Sequence, residues 1–186
     1  MVAVTPAEPG HAEAIAVLFE EMGEFYGAAA GGPLEQRVRQ VRRMLFDDER
    51  GMSALLAWDG GQLAGAAVYT FLWPARGLSR SLYLKELYIG AAHRRKGVGK
   101  LLMDGLHEIA AGHECSLMEW TTDDTNLAAQ RFYAGLGVPV RTSKLFYRAE
   151  VGRVTPAGGC RGRVQSLIRV WSGPVQTEGE PPGLAG

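Results

Sequence analysis

Eight residues that read as a strand, LYLKELYI at 82–89, run through AAH into the basic, glycine-bearing loop RRKGVGK, and a helical apolar pattern comes directly after. No other feature of the chain restricts the fold as much. A strand feeding a helix through a short turn is the building unit of a layered α/β sheet, and the two glycines admit backbone conformations that bulkier residues resist. The same turn outlines an anion site. Gly97 and Gly99 let backbone N–H groups approach a ligand, the helix N-terminus carries partial positive charge, and Arg94, Arg95, Lys96 and Lys100 add full charges. A phosphate-bearing ligand is the natural occupant, and a solvated basic turn is the plain alternative.

Two phosphate-binding templates can be laid on these residues, and both fail. A Walker-type loop needs glycine at 94 and a hydroxyl residue at 101, but the chain has Arg94 and Leu101, so magnesium would lack its hydroxyl ligand. The dinucleotide fingerprint needs a third glycine where Leu102 stands, and the only acidic residue near position 120 is Glu119, inside a strand pattern.

What remains is an Arg-x-x-Gly-x-Gly arrangement of Arg94, Gly97 and Gly99, with LYLKELYI before it and Asn126 and the FYAGLG segment containing Tyr133 after it. On these four places the chain resembles the GNAT superfamily of acetyl-coenzyme A dependent N-acetyltransferases, over roughly residues 1–150 and most strongly over 82–137. It is most similar to the diamine (spermidine/spermine) acetyltransferase branch, across YTFLWPARGLSRSLYLKELYI and EWTTDDTNLAAQRFYAGLG. The resemblance implies an α/β fold with a mixed, mostly antiparallel central sheet flanked by helices, splayed between the strand at 82–89 and another at 115–121. It also implies coenzyme A in that cleft. Carried over residue by residue, Arg94, Arg95, Lys96, Gly97, Val98, Gly99 and Lys100 hold the phosphates, and backbone groups of Leu87, Tyr88 and Ile89 pair with the pantetheine amides. Asn126 contacts the same arm, and Tyr133 approaches the sulfur. Each has a plain alternative: Asn126 as a helix cap, Tyr133 as a core aromatic beside Phe132.

Acyl transfer to an amine explains the types of residue at these places. A tyrosine near a departing thiolate can donate a hydrogen bond, and an alkylammonium must lose a proton before it attacks. Glu86, three residues before Ile89, is the candidate base, acting directly or through a water chain; the alternative is a half-buried carboxylate paired with a nearby Lys or Arg. The expected reaction is direct attack of a small primary amine on acetyl-coenzyme A in a ternary complex. Polyamines, amino-acid derivatives and aminoglycoside-like amines stay open, although Lys85 stands where the diamine branch has a second acidic residue, which disfavours a polycation. A non-catalytic acyl-coenzyme A binding or regulatory domain is the second reading.

Bulk properties agree with one enzyme domain. The 186 residues carry 20 basic and 20 acidic side chains and are 46% apolar, enough for one sizeable core and too neutral to favour nucleic acid. No signal-like start or bilayer-length apolar run occurs, so a cytoplasmic protein without a membrane partner is expected. Cys115 and Cys160 make no metal-ligand spacing with the histidines, so no metal is expected, and a disulfide between them is not. Family members are often dimers, which admits a homodimer.

Apolar periodicity predicts helices over 15–26, 35–45, from 98 onward and over 126–136, and strands at 2–5, 53–58, 63–71, 82–89, 115–121 and 143–148. The arginines of 35–45 read as solvated surface. From 151 the composition turns to Gly, Pro and Arg, so an acetyltransferase domain at 1–150 and a largely disordered tail at 151–186 are expected.

Overall fold

The strand of the strand-turn-helix segment lies next to the edge strand of a five-stranded sheet. In the computed structural model, which describes residues 1–28, 32–47 and 51–147, the chain divides into two units, Met1–Pro139 and Val140–Gly186. The first contains strands β1 (Val2–Pro6), β2 (Ser53–Asp59), β3 (Gln62–Leu72), β4 (Arg80–Ile89) and β5 (Cys115–Trp120). Its helices are α1 (Ala12–Phe25), α2 (Leu34–Leu45), α3 (Val98–Gly112) and α4 (Leu127–Gly135). The strands lie in the order β1-β2-β3-β4-β5. Neighbours pair antiparallel except β4 and β5, which run parallel, so α3 is the crossover between them. The expected mixed, mostly antiparallel sheet with flanking helices is therefore the observed one.

Local chemistry explains the joints. Gly60 and Gly61, at φ 59° and 82°, give the two-residue turn that joins β2 to β3 the left-handed geometry that matches strand twist. After α4, Gly137 at φ 76° donates its N–H to the Ala134 carbonyl while Val138 donates to that of Tyr133, a Schellman ending that closes the helix where glycine and Pro139 suggest.

Two cores lie on opposite faces of the sheet. Leu55, Leu82 and Leu84 pack under Val98, Leu102 and Leu106 of α3, whose four-residue spacing makes a single apolar stripe. On the other face Ile15, Ala16 and Leu18 of α1 and Val41 of α2 pack on Leu56, Ala66, Val68 and Tyr88. The arginine run of α2 is not simply solvated. Arg37 crosses to α1, where its Nη1 donates to Glu20 Oε2 at 2.9 Å and to the Ala16 carbonyl at 3.2 Å. A guanidinium this far from water needs such partners.

In the second unit the described residues, 140–147, form no strand or helix. The strand expected at 143–148 is absent over that described part. Leu145, Phe146 and Tyr147 are 78%, 65% and 84% exposed, and β-forming side chains make a strand only where a neighbouring edge pairs with their backbone. The expected tail at 151–186 and Cys160 lie outside the described residues. Among the described residues, no helix is long and apolar enough to cross a membrane.

Candidate active site

The site begins where two strands part. Pairing of β4 with β5 runs from Arg80 opposite Cys115 to Leu84 opposite Trp120 and stops there, while β4 stays paired with β3 as far as Ile89 opposite Gly65. Just beyond, the Gly90 N–H donates to the Ala64 carbonyl at 3.0 Å. Backbone groups alternate sides along a strand. The Tyr88 amide therefore faces β3, and those of Leu87 and Ile89 face the side that β5 has left.

A bulge decides which side chains line that opening. Val68 lies opposite Glu86 but Tyr69 opposite Leu84, so Lys85 is an extra residue and the alternation of β4 reverses there. Leu82 and Leu84 face α3 before the bulge, as Leu87 and Ile89 do after it. Tyr88 lies in the opposite core, and Glu86, two residues away, shares its face. In an unbulged strand Glu86 would follow Leu84 into the apolar layer under α3.

The glycine loop leads from β4 to α3. Arg95 and Gly97 are left-handed, at φ 60° and 80°. A Cβ on Gly97 would meet nothing within 4 Å, so this glycine is required by its backbone angle. Gly99 is closely neighboured instead: a Cβ there would lie 3.1 Å from Phe132 Cζ on α4, so that ring would have to give by a few tenths of an ångström. No side chain caps α3, and its first backbone bond is Leu101 N–H to the Gly97 carbonyl. The N–H groups of Val98, Gly99 and Lys100 therefore have no acceptor within the helix. Val98 buries its side chain in the α3 core and offers the loop only backbone. Lys100 reaches along α3 to Asp104 at 2.7 Å; Arg95 and Lys96 are exposed.

Arg94 is held against the sheet. Its Nε donates to the Ile89 carbonyl at 3.1 Å and its Nη2 to the Tyr88 hydroxyl at 3.2 Å, and its guanidinium lies 4.4 Å from the centre of the Phe25 ring. The Tyr88 hydroxyl in turn donates to Glu21 Oε1 at 3.1 Å, and the same oxygen accepts the Ala91 N–H at 2.7 Å. Sequence reasoning missed these contacts of Glu21, Phe25 and the Tyr88 side chain. In the sequence Glu21 stands beside the unbroken apolar stripe of α1 (Ile15, Leu18, Phe19, Met22, Phe25 and Tyr26), together with Glu20 and Glu24, as a charged outer face does.

Tyr133, Glu86 and Asn126 are the remaining residues that the resemblance pointed to. The Tyr133 ring packs 5.1 Å from Trp120 and 5.2 Å from Phe132. Burial pushes its phenol up to about 12, with smaller contributions from the nearby Tyr26 and Glu86. Glu86 is raised above the usual carboxylate range, chiefly by burial; Lys85 pulls it down and Asp123 adds to the rise. Asn126 caps α4, its Oδ1 accepting the Ala129 N–H at 3.0 Å. Among the described residues no group of three or more His, Cys, Asp or Glu is placed to hold a metal ion.

Known proteins share this architecture. The acetyltransferase (GNAT) family model matches residues 15–138. L-ornithine N5-acetyltransferase NATA1 of Arabidopsis thaliana is 28% identical over 78 residues, 42% of this chain and 34% of that protein, so the match spans about a third of that relative's length. The integron cassette protein from the mobile metagenome of V. cholerae superposes with a TM-score of 0.76 at 28% identity, over 81% of this chain and 93% of its own. Aminoglycoside N-acetyltransferase AAC(6')-Iy in complex with CoA gives 0.65 at 18% identity, over 81% and 96%, a likeness of fold alone.

Proposed function

This chain belongs to the acetyltransferase (GNAT) family, and from that premise we propose that it moves the acetyl group of acetyl-coenzyme A to a primary amine of a small molecule, by direct attack in a ternary complex. The observation that carries this reading is the wedge in the sheet. β4 turns the Leu87 and Ile89 amides toward the gap left by β5, and α3 starts a few residues later with an uncapped N-terminus.

These residues fit coenzyme A. The open amides of Leu87 and Ile89 suit an amide-bearing arm laid along β4 as an added strand, and Asn126 would meet the same arm. The N–H groups of Val98, Gly99 and Lys100, with Arg94, Arg95, Lys96 and Lys100, suit its phosphates, and the bare Gly97 keeps the approach clear. Acetyl-coenzyme A, when bound, supplies a thioester carbonyl and a thiol leaving group. The Ile89 N–H is the donor placed to polarise that carbonyl.

Tyr133 acts as a hydrogen-bond donor. With its pKa near 12, full proton transfer to an ordinary thiolate of pKa ~8.5 would be uphill by about 5 kcal/mol. Glu86 takes the proton of the incoming amine. An alkylammonium is only about 0.04% neutral at pH 7, a cost of about 5 kcal/mol, and a carboxylate whose pKa is raised by burial is a better acceptor than an ordinary one. Lys85 beside it works against a polycation, which puts monoamines and amino-acid derivatives ahead of polyamines as acceptors.

The test is the full chain with acetyl-coenzyme A and a panel of ornithine, other amino acids, an aminoglycoside, spermidine and simple alkylamines, reading thiol release and product mass together. Amine-dependent thiol release with a singly acetylated product is expected. Tight binding of coenzyme A without release to any amine would instead favour an acyl-coenzyme A binding domain. Absence of binding would remove the reading altogether.

A further inference from the structure

We propose that Glu21 is a positioning residue for the cofactor loop: from α1 it holds the turn after β4 through the Ala91 N–H and, through the Tyr88 hydroxyl, the Arg94 side chain at the head of the loop. This role presupposes the coenzyme A site proposed above. One carboxylate oxygen receives both donors, the Ala91 N–H at 2.7 Å and the Tyr88 hydroxyl at 3.1 Å. Hydrogen bonds to an ionised acceptor are short and strong, and the first of these has that length. It falls on the opening N–H of the short helical turn Ala91–His93, a donor for which the turn has no acceptor of its own.

The second bond sets a direction. Because the Tyr88 hydroxyl gives its proton to Glu21, its lone pairs are left for Arg94 Nη2 at 3.2 Å. Arg94 is then fixed from three sides: by Tyr88, by the Ile89 carbonyl through Nε, and by the Phe25 ring. Phe25 lies one helical turn after Glu21, so one end of α1 supplies both the acceptor at the base of the chain and the platform at its head.

The backbone of the next residue shows why an anchor is needed. Arg95 is left-handed at φ 60°, a conformation that costs a residue with a side chain about 1–2 kcal/mol and persists only where its neighbours are fixed. On the far side the loop is tied down by Val98, buried under the sheet. On the near side the tie is Arg94. Electrostatics run along the same chain: burial and the Glu21 carboxylate raise the Tyr88 phenol while Arg94 lowers it.

If Glu21 merely glued α1 to the sheet, its loss would lower stability and leave the balance between cofactor affinity and turnover alone. Coenzyme A titration by calorimetry, with steady-state kinetics on the full chain, separates the two. Glu21→Gln should raise both the Kd for coenzyme A and the KM for acetyl-coenzyme A about tenfold, with kcat within about twofold of wild type. Tyr88→Phe keeps the ring and the Glu21–Ala91 bond, and should raise both about threefold. The double variant should bind no more weakly than Glu21→Gln alone, because the two act in series. Wild-type affinity in either single variant, losses that simply multiply in the double, or a fall in kcat with Kd unchanged would each overturn the role of Glu21. Should Glu21→Gln fail to fold, Tyr88→Phe decides alone. A wild-type chain that does not bind coenzyme A would instead sink the acyl-transfer reading itself.

Discussion

Tyr133 and Glu86 are shifted by the same chief cause, burial, and the shift suits each to the different task proposed for it. A phenol raised to about 12 stays protonated across the working range, so Tyr133 is always ready to donate. Tyr133→Phe should lower kcat about 100-fold while the Kd for coenzyme A stays within about twofold; single-turnover and binding measurements together check the split. For Glu86, the proposed base, the raised pKa means that the ionised form is lost as pH falls through that value. The pH–rate profile of Glu86→Gln should lose its acidic limb. Stability moves the other way. A carboxyl raised on folding contributes stability that is complete below its unfolded pKa and is lost as pH rises through the folded one. Thermal scans should therefore show the Tm of Glu86→Gln gaining on wild type as pH rises above the ordinary carboxylate value of about 4.

Among the elements, the bulge in β4 and the closeness of β3 are what shape the opening. Gly65, opposite Ile89, has no room for a side chain: a Cβ would fall 2.7 Å from Ile89 Cδ1 and 2.9 Å from the Tyr88 carbonyl oxygen. The first atom ends a flexible side chain and can move, but the second is backbone. Gly65→Ala must push β3 and β4 apart, and urea unfolding should show a loss of about 1–3 kcal/mol, with weaker coenzyme A binding because the Ile89 amide moves too. The bulge was not read from the sequence. LYLKELYI keeps strict alternation through Leu84, breaks it with two charged residues, and resumes with Leu87 and Ile89. Reading the segment as a plain strand hid that Glu86 and Leu84 face opposite ways.

Across the whole first unit, each face of the sheet has one task. α3 anchors the end proposed to hold the phosphates by burying Val98, Leu102 and Leu106. α1 and α2 cover the other face, joined by the Arg37–Glu20 pair at 2.9 Å, and bring Phe25 and Glu21 to the end of β4. A ligand that bridges β4 and α3 in the native state alone stabilises the fold by mass action, about 2.7 kcal/mol at 100 times its Kd. Saturating coenzyme A should therefore raise the Tm by about 5–10 °C, in a thermal scan of the full chain. A Tm that does not move at that concentration would argue against a preformed site.

How much of this was readable in advance depended on range. Helix and strand identities, the turn at Gly60 and Gly61, the ending of α4 at Gly137 and the basic loop before α3 all arise from neighbours within a few residues, where periodicity and backbone freedom dominate. The strand expected at 143–148 did not form over its described residues, because pairing is a property of two segments and propensity of one. Range also explains why Arg37 looked solvated and why Glu21 was given no partner. The partners Glu20 and Ala16 of Arg37, and Tyr88 and Ala91 of Glu21, lie 17 to 70 residues away along the chain, and only folding brings them within reach. Local sequence dictated which elements form and where an anion can be held. Folding was needed to decide which way Glu86 faces, which amides β5 leaves open and what holds Arg94, since each depends on distant backbone meeting in a single register.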